Sequence, residues 1–262
     1  MKVTLFTSNN HRHNYLINLL SKHCEELWVI QESRASFIDK KDGKYQSSDI
    51  IENYFKKVLE AQNKIFKKEH INSNNKNVKI LPILQGELNN LSLNHLGEFL
   101  KSDIYIVFGS SYIKGDLVEF LIKNRTINIH AGVSPYYRGS DCNFWALYDG
   151  NPHLVGATIH LLSKGLDSGP MLYHAMSNLK TNPFEYTMST VKSAFHSIAE
   201  RILDNSIFKI NPLAQDKNLE IRYTKKNEFN HDVVKNFFEK EINLSQKKFD
   251  SALLKEPFFL NE

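Results

Sequence analysis

The chain has 262 residues, 41% hydrophobic and 24% charged, enough apolar material for one large core or one core with a small appendage, which excludes global disorder. Lysine and arginine total 33 against 29 aspartate and glutamate, a net charge of +4 dispersed among acidic residues; without a concentrated basic face, an anionic small molecule is the expected partner and nucleic acid is not. Cys24 and Cys142 are the only two cysteines and lack disulfide-framework or zinc-site spacing, so a reducing, cytoplasmic setting without a metal is expected. The first residues carry no signal-peptide core, and no stretch reaches the run of about 18 apolar residues that spans a membrane, so neither export nor membrane insertion is expected.

Val3 to Phe6 reads as a strand, followed by the polar turn Ser8-Asn9-Asn10 and by Tyr15, Leu16, Leu19 and Leu20 at helical spacing. Leu27 to Ile30 is a second strand, and Ile51, Phe55, Val58, Leu59 and Ile65 mark an amphipathic helix. Residues Asn72 to Asn77 form a loop by composition. Val78 to Leu81 and Ile104 to Phe108 are further strands, with Leu91 to Leu100 helical between them, and Thr126 to His130 is the next strand. Such alternation predicts an α/β fold: an open, mostly parallel twisted sheet with helices on both faces and ligands at the carboxyl ends of its strands. Beyond Gly150 two strands, Ala157 to Leu162 and Met171 to Ala175, precede a long helix from Phe184 to about Asp204. The expected organisation is a catalytic domain over 1–224 and a charged appendage over 225–262 that packs on the surface or partly frays.

The chemistry concentrates in Asn128-Ile129-His130-Ala131-Gly132-Val133-Ser134-Pro135-Tyr136-Tyr137-Arg138-Gly139, which leaves the end of a strand. Strand alternation puts Asn128 and His130 on one side, where an amide and a protonated imidazole can together grip a developing oxyanion. Taken alone, the same pair also fits a turn-closing amide beside a satisfied core histidine. A second element, Gly156 to Pro170, is a strand and a loop bearing Asp167 between glycines. A carboxylate there can set the charge of His130, although Asp-Ser-Gly-Pro is also an ordinary turn sequence.

Asn128-x-His130, then Ser134-Pro135-x-Tyr137-Arg138-Gly139, then Gly156-x-Thr158-x-His160, then Asp167-x-Gly169-Pro170 resembles the signature of the folate-dependent formyltransferases. This family includes enzymes acting on glycinamide ribonucleotide, on methionyl-tRNA and on nucleotide sugars. The resemblance is ordered over about 40 residues, with weaker similarity over 1–224 ending in Gln215 and Tyr223. The loop departs from the family's usual His-x-Ser-Leu-Leu-Pro, reading His130-Ala131-Gly132-Val133-Ser134-Pro135.

The resemblance implies a Rossmann-like formyltransferase fold, N10-formyltetrahydrofolate as cofactor, and Asn128, His130 and Asp167 as the catalytic residues, with Asp167 keeping His130 cationic and relaying the amine's proton through water. His160 is either a support for that trio or a packed strand histidine. The folate pocket is expected from Phe108, Gly109, Ser110, Ser111, Tyr112 and Ile113 together with Ser163, Lys164, Gly165 and Leu166. For the acceptor, Ser8, Asn9, Asn10, Arg12 and His13, with His11 among them, sit where a strand hands over to a helix, a place that favours anions; a solvated cap cluster is the alternative. Tyr137 and Arg138 are expected to contact substrate. The short stretch after Tyr223 argues against a tRNA-binding domain, and the insertion from Ser36 to Asn77 distinguishes the chain from the purine enzyme. The expected acceptor is therefore the amine of a nucleotide-linked sugar for surface polysaccharide. A formyltetrahydrofolate hydrolase and a non-catalytic folate or nucleotide-sugar binding protein are the competing readings. The apolar Phe258, Phe259 and Leu260 suggest a homodimer contact.

Overall fold

The computed structural model describes residues 1–33, 48–244 and 250–260. Part of the insertion expected from Ser36 to Asn77 and part of the expected appendage thus lie outside the described residues. The chain folds as β1 (Lys2–Ser8), α1 (His11–Leu20), β2 (Glu26–Ser33), α2 (Asp49–Phe66), β3 (Val78–Leu84), α3 (Leu93–Leu96), β4 (Ile104–Val107), α4 (Gly115–Lys123) and β5 (Ile127–His130). There follow β6 (Tyr137–Gly139), α5 (Cys142–Tyr148), β7 (Ala157–Leu161), β8 (Met171–Met176), α6 (Pro183–Leu203), β9 (Arg222–Thr224), α7 (His231–Glu239) and β10 (Phe258–Phe259).

Eight strands form one mixed sheet in the order β10-β8-β7-β5-β4-β1-β2-β3. The pairs from β5 through β3 are parallel, β7 is antiparallel to both β5 and β8, and β10 is parallel to β8. Strand alternation sorts the side chains: Val3, Leu5, Ile104, Ile106, Ile127 and Ile129 enter a core beneath α1, α2 and α6. Phe6, Tyr105 and Val107 face a smaller core closed by Leu117, Val118 and Leu121 of α4. Helices thus cover both faces, as the alternating pattern predicted. Pro82 is accommodated because β3 lies at the sheet's outer edge, where a missing N–H removes no needed ladder bond.

The chain runs outward from β1 to β2 and β3, then returns to lay β4 on the other side of β1. At this reversal the loops after β1 and β4 diverge, leaving a crevice at the strands' carboxyl ends. The segment Leu91 to Leu100, expected as one helix, is broken: α3 is a single turn capped by Ser92, and Gly97 at φ +42° leads into a 3-10 turn. Helices α4 and α5 were not anticipated; in α5 every residue from Cys142 to Leu147 is buried, so the two-sided pattern that announces a surface helix is missing.

The described residues after Thr224 pack more deeply than a surface appendage. Phe229, Val234 and Phe237 are buried, and the Phe144 ring meets Phe237 at 4.7 Å and Phe229 at 4.8 Å. Phe258 and Phe259, expected at a dimer contact, form β10 and find a partner strand within the chain. A buried histidine anchors this region: the Lys255 N–H donates to His174 Nδ1 at 2.8 Å, leaving the Nε2 proton to donate to the Ser134 carbonyl at 2.7 Å.

Burial pushes the His174 imidazole down to about 4, and the Lys255 N–H requires the neutral form, since a protonated Nδ1 could not accept it. Because the folded value lies below the ordinary 6.5, its contribution is complete above that pH and is lost as pH falls toward 4. The expected loss is about 3 kcal/mol. Urea titrations at successive pH values should show it in the parent and lack it in His174→Asn; parallel pH dependences would contradict this account.

Candidate active site

The structure brings Asn128, His130 and Asp167 together where β5 ends beside the loop after β7. Antiparallel pairing sets Asn128 opposite His160, and the Asn128 Nδ2 amide donates to His160 Nε2 at 2.9 Å while His160 Nδ1 donates to the Leu161 carbonyl at 2.8 Å. His160 therefore orients the amide. Asn128 Nδ2 also lies 3.4 Å from Asp167 Oδ1, and His130 Nδ1 lies 3.3 Å from Asp167 Oδ2.

Burial is the largest single influence and disfavours the charge on both members of the His130–Asp167 pair, but it is outweighed by the combined effect of Asp167 and Cys142 on His130 and of His130 and His160 on Asp167. Together these contacts carry the His130 imidazole well above its ordinary range and hold the Asp167 carboxyl well below the carboxylate range. His130 is thus an imidazolium at neutral pH. Its Nε2 is buried and has no hydrogen-bond partner among the described residues, so one charged donor remains to be satisfied. A Cβ on Gly132 would stand 2.6 Å from that nitrogen and 2.4 Å from Cys142 Cβ; glycine keeps the approach open.

The loops are held by specific bonds. Gln215 Nε2 donates to the carbonyls of Asp167 and Gly169 at 2.9 and 2.8 Å, clasping the turn that carries the carboxylate. A Cβ on Gly169 would lie 1.7 Å from the Leu161 carbonyl oxygen, so only glycine fits that crossing. Thr158 Oγ1 donates to the Gly132 carbonyl at 2.6 Å and accepts from the Ser134 N–H at 2.8 Å, fixing the chain that leaves β5.

Two cavities meet at His130. One, of about 630 Å³, is lined by Phe108 to Ile113, Ser163, Gly165, Leu166 and Asp167, with apolar walls from Val118 and Leu162. The other, of about 370 Å³, is lined by Ser8, Asn10, Arg12 and His13, by Tyr54, Phe55 and Val58 of α2, and by Asp141, Asn143 and Phe144. Of the expected folate-side residues only Lys164 sends its side chain elsewhere, to Glu119 at 2.6 Å, though its carbonyl accepts a hydrogen bond from the Tyr112 hydroxyl. Of the expected acceptor residues, Asn9, Tyr137 and Arg138 line neither cavity.

The pairing of β6 with β9 explains the last two. Tyr137 is buried with its hydroxyl 3.3 Å from Asp149 and 2.8 Å from Asn151, and Arg138 pairs with Glu220 at 2.9 Å. His11 turns to the Glu69 carbonyl at 2.9 Å, and His13 accepts the Ser8 N–H on Nδ1 at 3.0 Å, bracing the β1 turn. Sequence reasoning missed Glu32, a buried carboxylate at the end of β2 that accepts the N–H groups of Gly86 and Ser111 and so shapes the wall of the larger cavity. It also missed Tyr54, Asp141 and Phe144. Tyr54 lies beside Phe55 on the amphipathic helix that was anticipated, and Asp141 directly follows the motif.

Replacing Asp167 by Asn removes the charge that offsets burial, so the His130 imidazole is expected to fall below its ordinary range and become neutral at pH 7. Imidazole-detected NMR titration would show this, accompanied by an activity loss of about 100-fold or more. An unchanged His130 titration would contradict the pairing.

A family model described as formyl transferase matches residues 52–207. A methionyl-tRNA formyltransferase from Trichodesmium erythraeum (strain IMS101) is 26% identical over 161 residues, covering 56% of this chain and 47% of that protein; this chain thus spans under half the length of that relative. Among solved structures, a sugar N-formyltransferase from Shewanella sp FDAARGOS_354 superposes with a TM-score of 0.53 at 15% identity, covering 86% of this chain and 76% of that one. The phosphoribosylglycinamide formyltransferase from Anaplasma phagocytophilum gives 0.50 at 16% identity, covering 80% and 88% respectively. At these identities the two structures establish a shared fold.

Proposed function

As the chain belongs to the formyl transferase family, we propose that it transfers a formyl group from N10-formyltetrahydrofolate to a primary amine carried by a nucleotide-linked sugar. The observation that carries this reading is the buried His130, paired with Asp167 and with an Nε2 that has no hydrogen-bond partner among the described residues, placed with Asn128 at the junction of two cavities.

The larger cavity fits the donor. Its walls combine apolar Ile113, Val118 and Leu162 with the backbone of 109–111, a slot suited to a flat heterocycle with polar edges. When bound, the donor supplies an activated formyl carbonyl whose oxygen gains negative charge as the amine attacks. Asn128 and His130 then stabilise that charge, and because Asp167 fixes the imidazolium in advance, no reorganisation is needed as the charge appears. Asp167 holds the proton on His130 and aims the ring.

The smaller cavity sets Arg12 beside Tyr54, Phe55 and Phe144. A guanidinium suits a phosphate, while the rings offer stacking surface to a base or sugar. This pairing favours a nucleotide sugar over methionyl-tRNA. Cytoplasmic residence and a part in surface polysaccharide synthesis accord with such an acceptor.

The test is release of tetrahydrofolate from N10-formyltetrahydrofolate across nucleotide-linked amino sugars, glycinamide ribonucleotide, methionyl-tRNA and water alone. Turnover is expected with an amino sugar and should fall at least about 100-fold in His130→Ala. Turnover with water alone, or only with methionyl-tRNA, would overturn the proposed acceptor.

A further inference from the structure

Asn128 and His130 reach the reaction centre from a strand, but Asp167 does so from a turn, and that turn is held under strain. Asp167 takes a left-handed backbone at φ +46°, a conformation unfavourable for a residue with a Cβ. Two residues on, Gly169 passes so close to the Leu161 carbonyl that no side chain fits there. Such features persist only where neighbouring groups fix them. The carboxylate must nevertheless meet His130 Nδ1 at 3.3 Å and Asn128 Nδ2 at 3.4 Å, so its position depends on whatever fastens the backbone beneath it.

Gln215 supplies the fastening. Its two amide protons go to the carbonyls of Asp167 and Gly169, at 2.9 and 2.8 Å, and this fixes the orientation of the amide, since the reversed one would set its oxygen against two carbonyls. Gln215 Oε1 is then buried with no hydrogen-bond partner among the described residues, which is unfavourable and marks a clasp whose geometry matters. The chain that carries Gln215 is itself bonded to both loops of the site. Leu213 and Met171, just beyond the Asp167 turn, exchange backbone hydrogen bonds at 2.7 and 2.8 Å. The Ile221 and Arg222 N–H groups donate to the Tyr136 carbonyl at 2.9 and 3.0 Å, in the loop that follows His130. Residues 213–222 thus form a brace from one catalytic loop to the other, with Gln215 as its contact to the turn that carries the carboxylate.

We propose that Gln215 is a positioning residue for formyl transfer, setting the distance from Asp167 to His130 through the brace formed by residues 213–222. It touches neither ligand: the described residues lining the two cavities do not include it. Its effect passes through the backbone of Asp167 to the carboxylate, and from there to the imidazole whose charge and aim stabilise the developing oxyanion. A displacement of about 1 Å at a reacting group is enough to cost about 100-fold in rate. The assignment rests on the formyl-transfer reading and adds to it the element that keeps the two loops in register.

The test compares the parent with Gln215→Glu, which keeps the length of the side chain but removes both donors, and with Gln215→Met, which removes them without burying a charge. In either variant that folds, kcat for the reactive amine should fall about 10- to 100-fold. The dissociation constant of the folate should move far less, because the wall from Gly109 to Ile113 is untouched. The His130 titration followed by NMR should shift toward its ordinary range as Asp167 draws away, a change that lost stability alone would not produce. In the parent, the Gln215 side-chain amide protons should exchange slowly with solvent. A parent-like kcat, a folate affinity reduced as much as kcat, an unmoved His130 titration, or amide protons exchanging as fast as those of free glutamine would each overturn the assignment. Failure of the parent to turn over any amine would strike the formyl-transfer reading instead, while the titration and exchange measurements would still decide whether Gln215 holds the pair.

Discussion

Two opposite charges face each other across 3.3 Å in a place where water cannot screen them. Burying either His130 or Asp167 alone would be costly, and removing one member leaves the other uncompensated. The pair therefore demands accurate placement, and much of the surrounding structure supplies it. Gln215 clasps the backbone on both sides of Ser168, Gly169 lets that turn cross the Leu161 carbonyl, and Thr158 fastens the chain leaving β5. The same pairing determines the chemistry, since an imidazolium fixed in advance can stabilise negative charge but cannot also serve as a base.

The sheet's order reversal places this pair between two unlike surroundings. On one side Glu32 and the loop after β4 build a slot with apolar walls and backbone edges; on the other, α1, α2 and α5 contribute a cation, aromatic rings and a carboxylate. A donor and an acceptor of different chemistry can thus approach one histidine from opposite directions.

The alternation of apolar strands and amphipathic helices made the layered fold legible, because strand and helix periodicities are local. Asn128, His130 and Asp167 stood out through short motifs whose members converge across the β5–β7 pair. A linear motif does not, however, distinguish a residue that meets a ligand from one that holds the loop. Tyr137 and Arg138 belong to the same run as His130 but are bound to Asp149, Asn151 and Glu220. Glu32 was invisible for the complementary reason: a buried carboxylate satisfied by two distant backbone N–H groups leaves no signature near its own position. The tail misled because its charges are exposed while Phe229, Val234 and Phe237, widely spaced, reach the core.

Strand β10 comes after all the other strands of the sheet in the chain, yet it covers the outer edge of β8, and nearby Lys255 gives His174 the hydrogen bond that orients it toward Ser134. During synthesis from the N-terminus, the catalytic strand and its neighbours therefore emerge with one margin of the sheet uncovered and the loop behind His130 not yet braced. Until this late segment has emerged, the hydrogen bond that orients His174 toward the Ser134 carbonyl cannot form, so the support behind the reactive histidine depends on the last-made strand of the sheet.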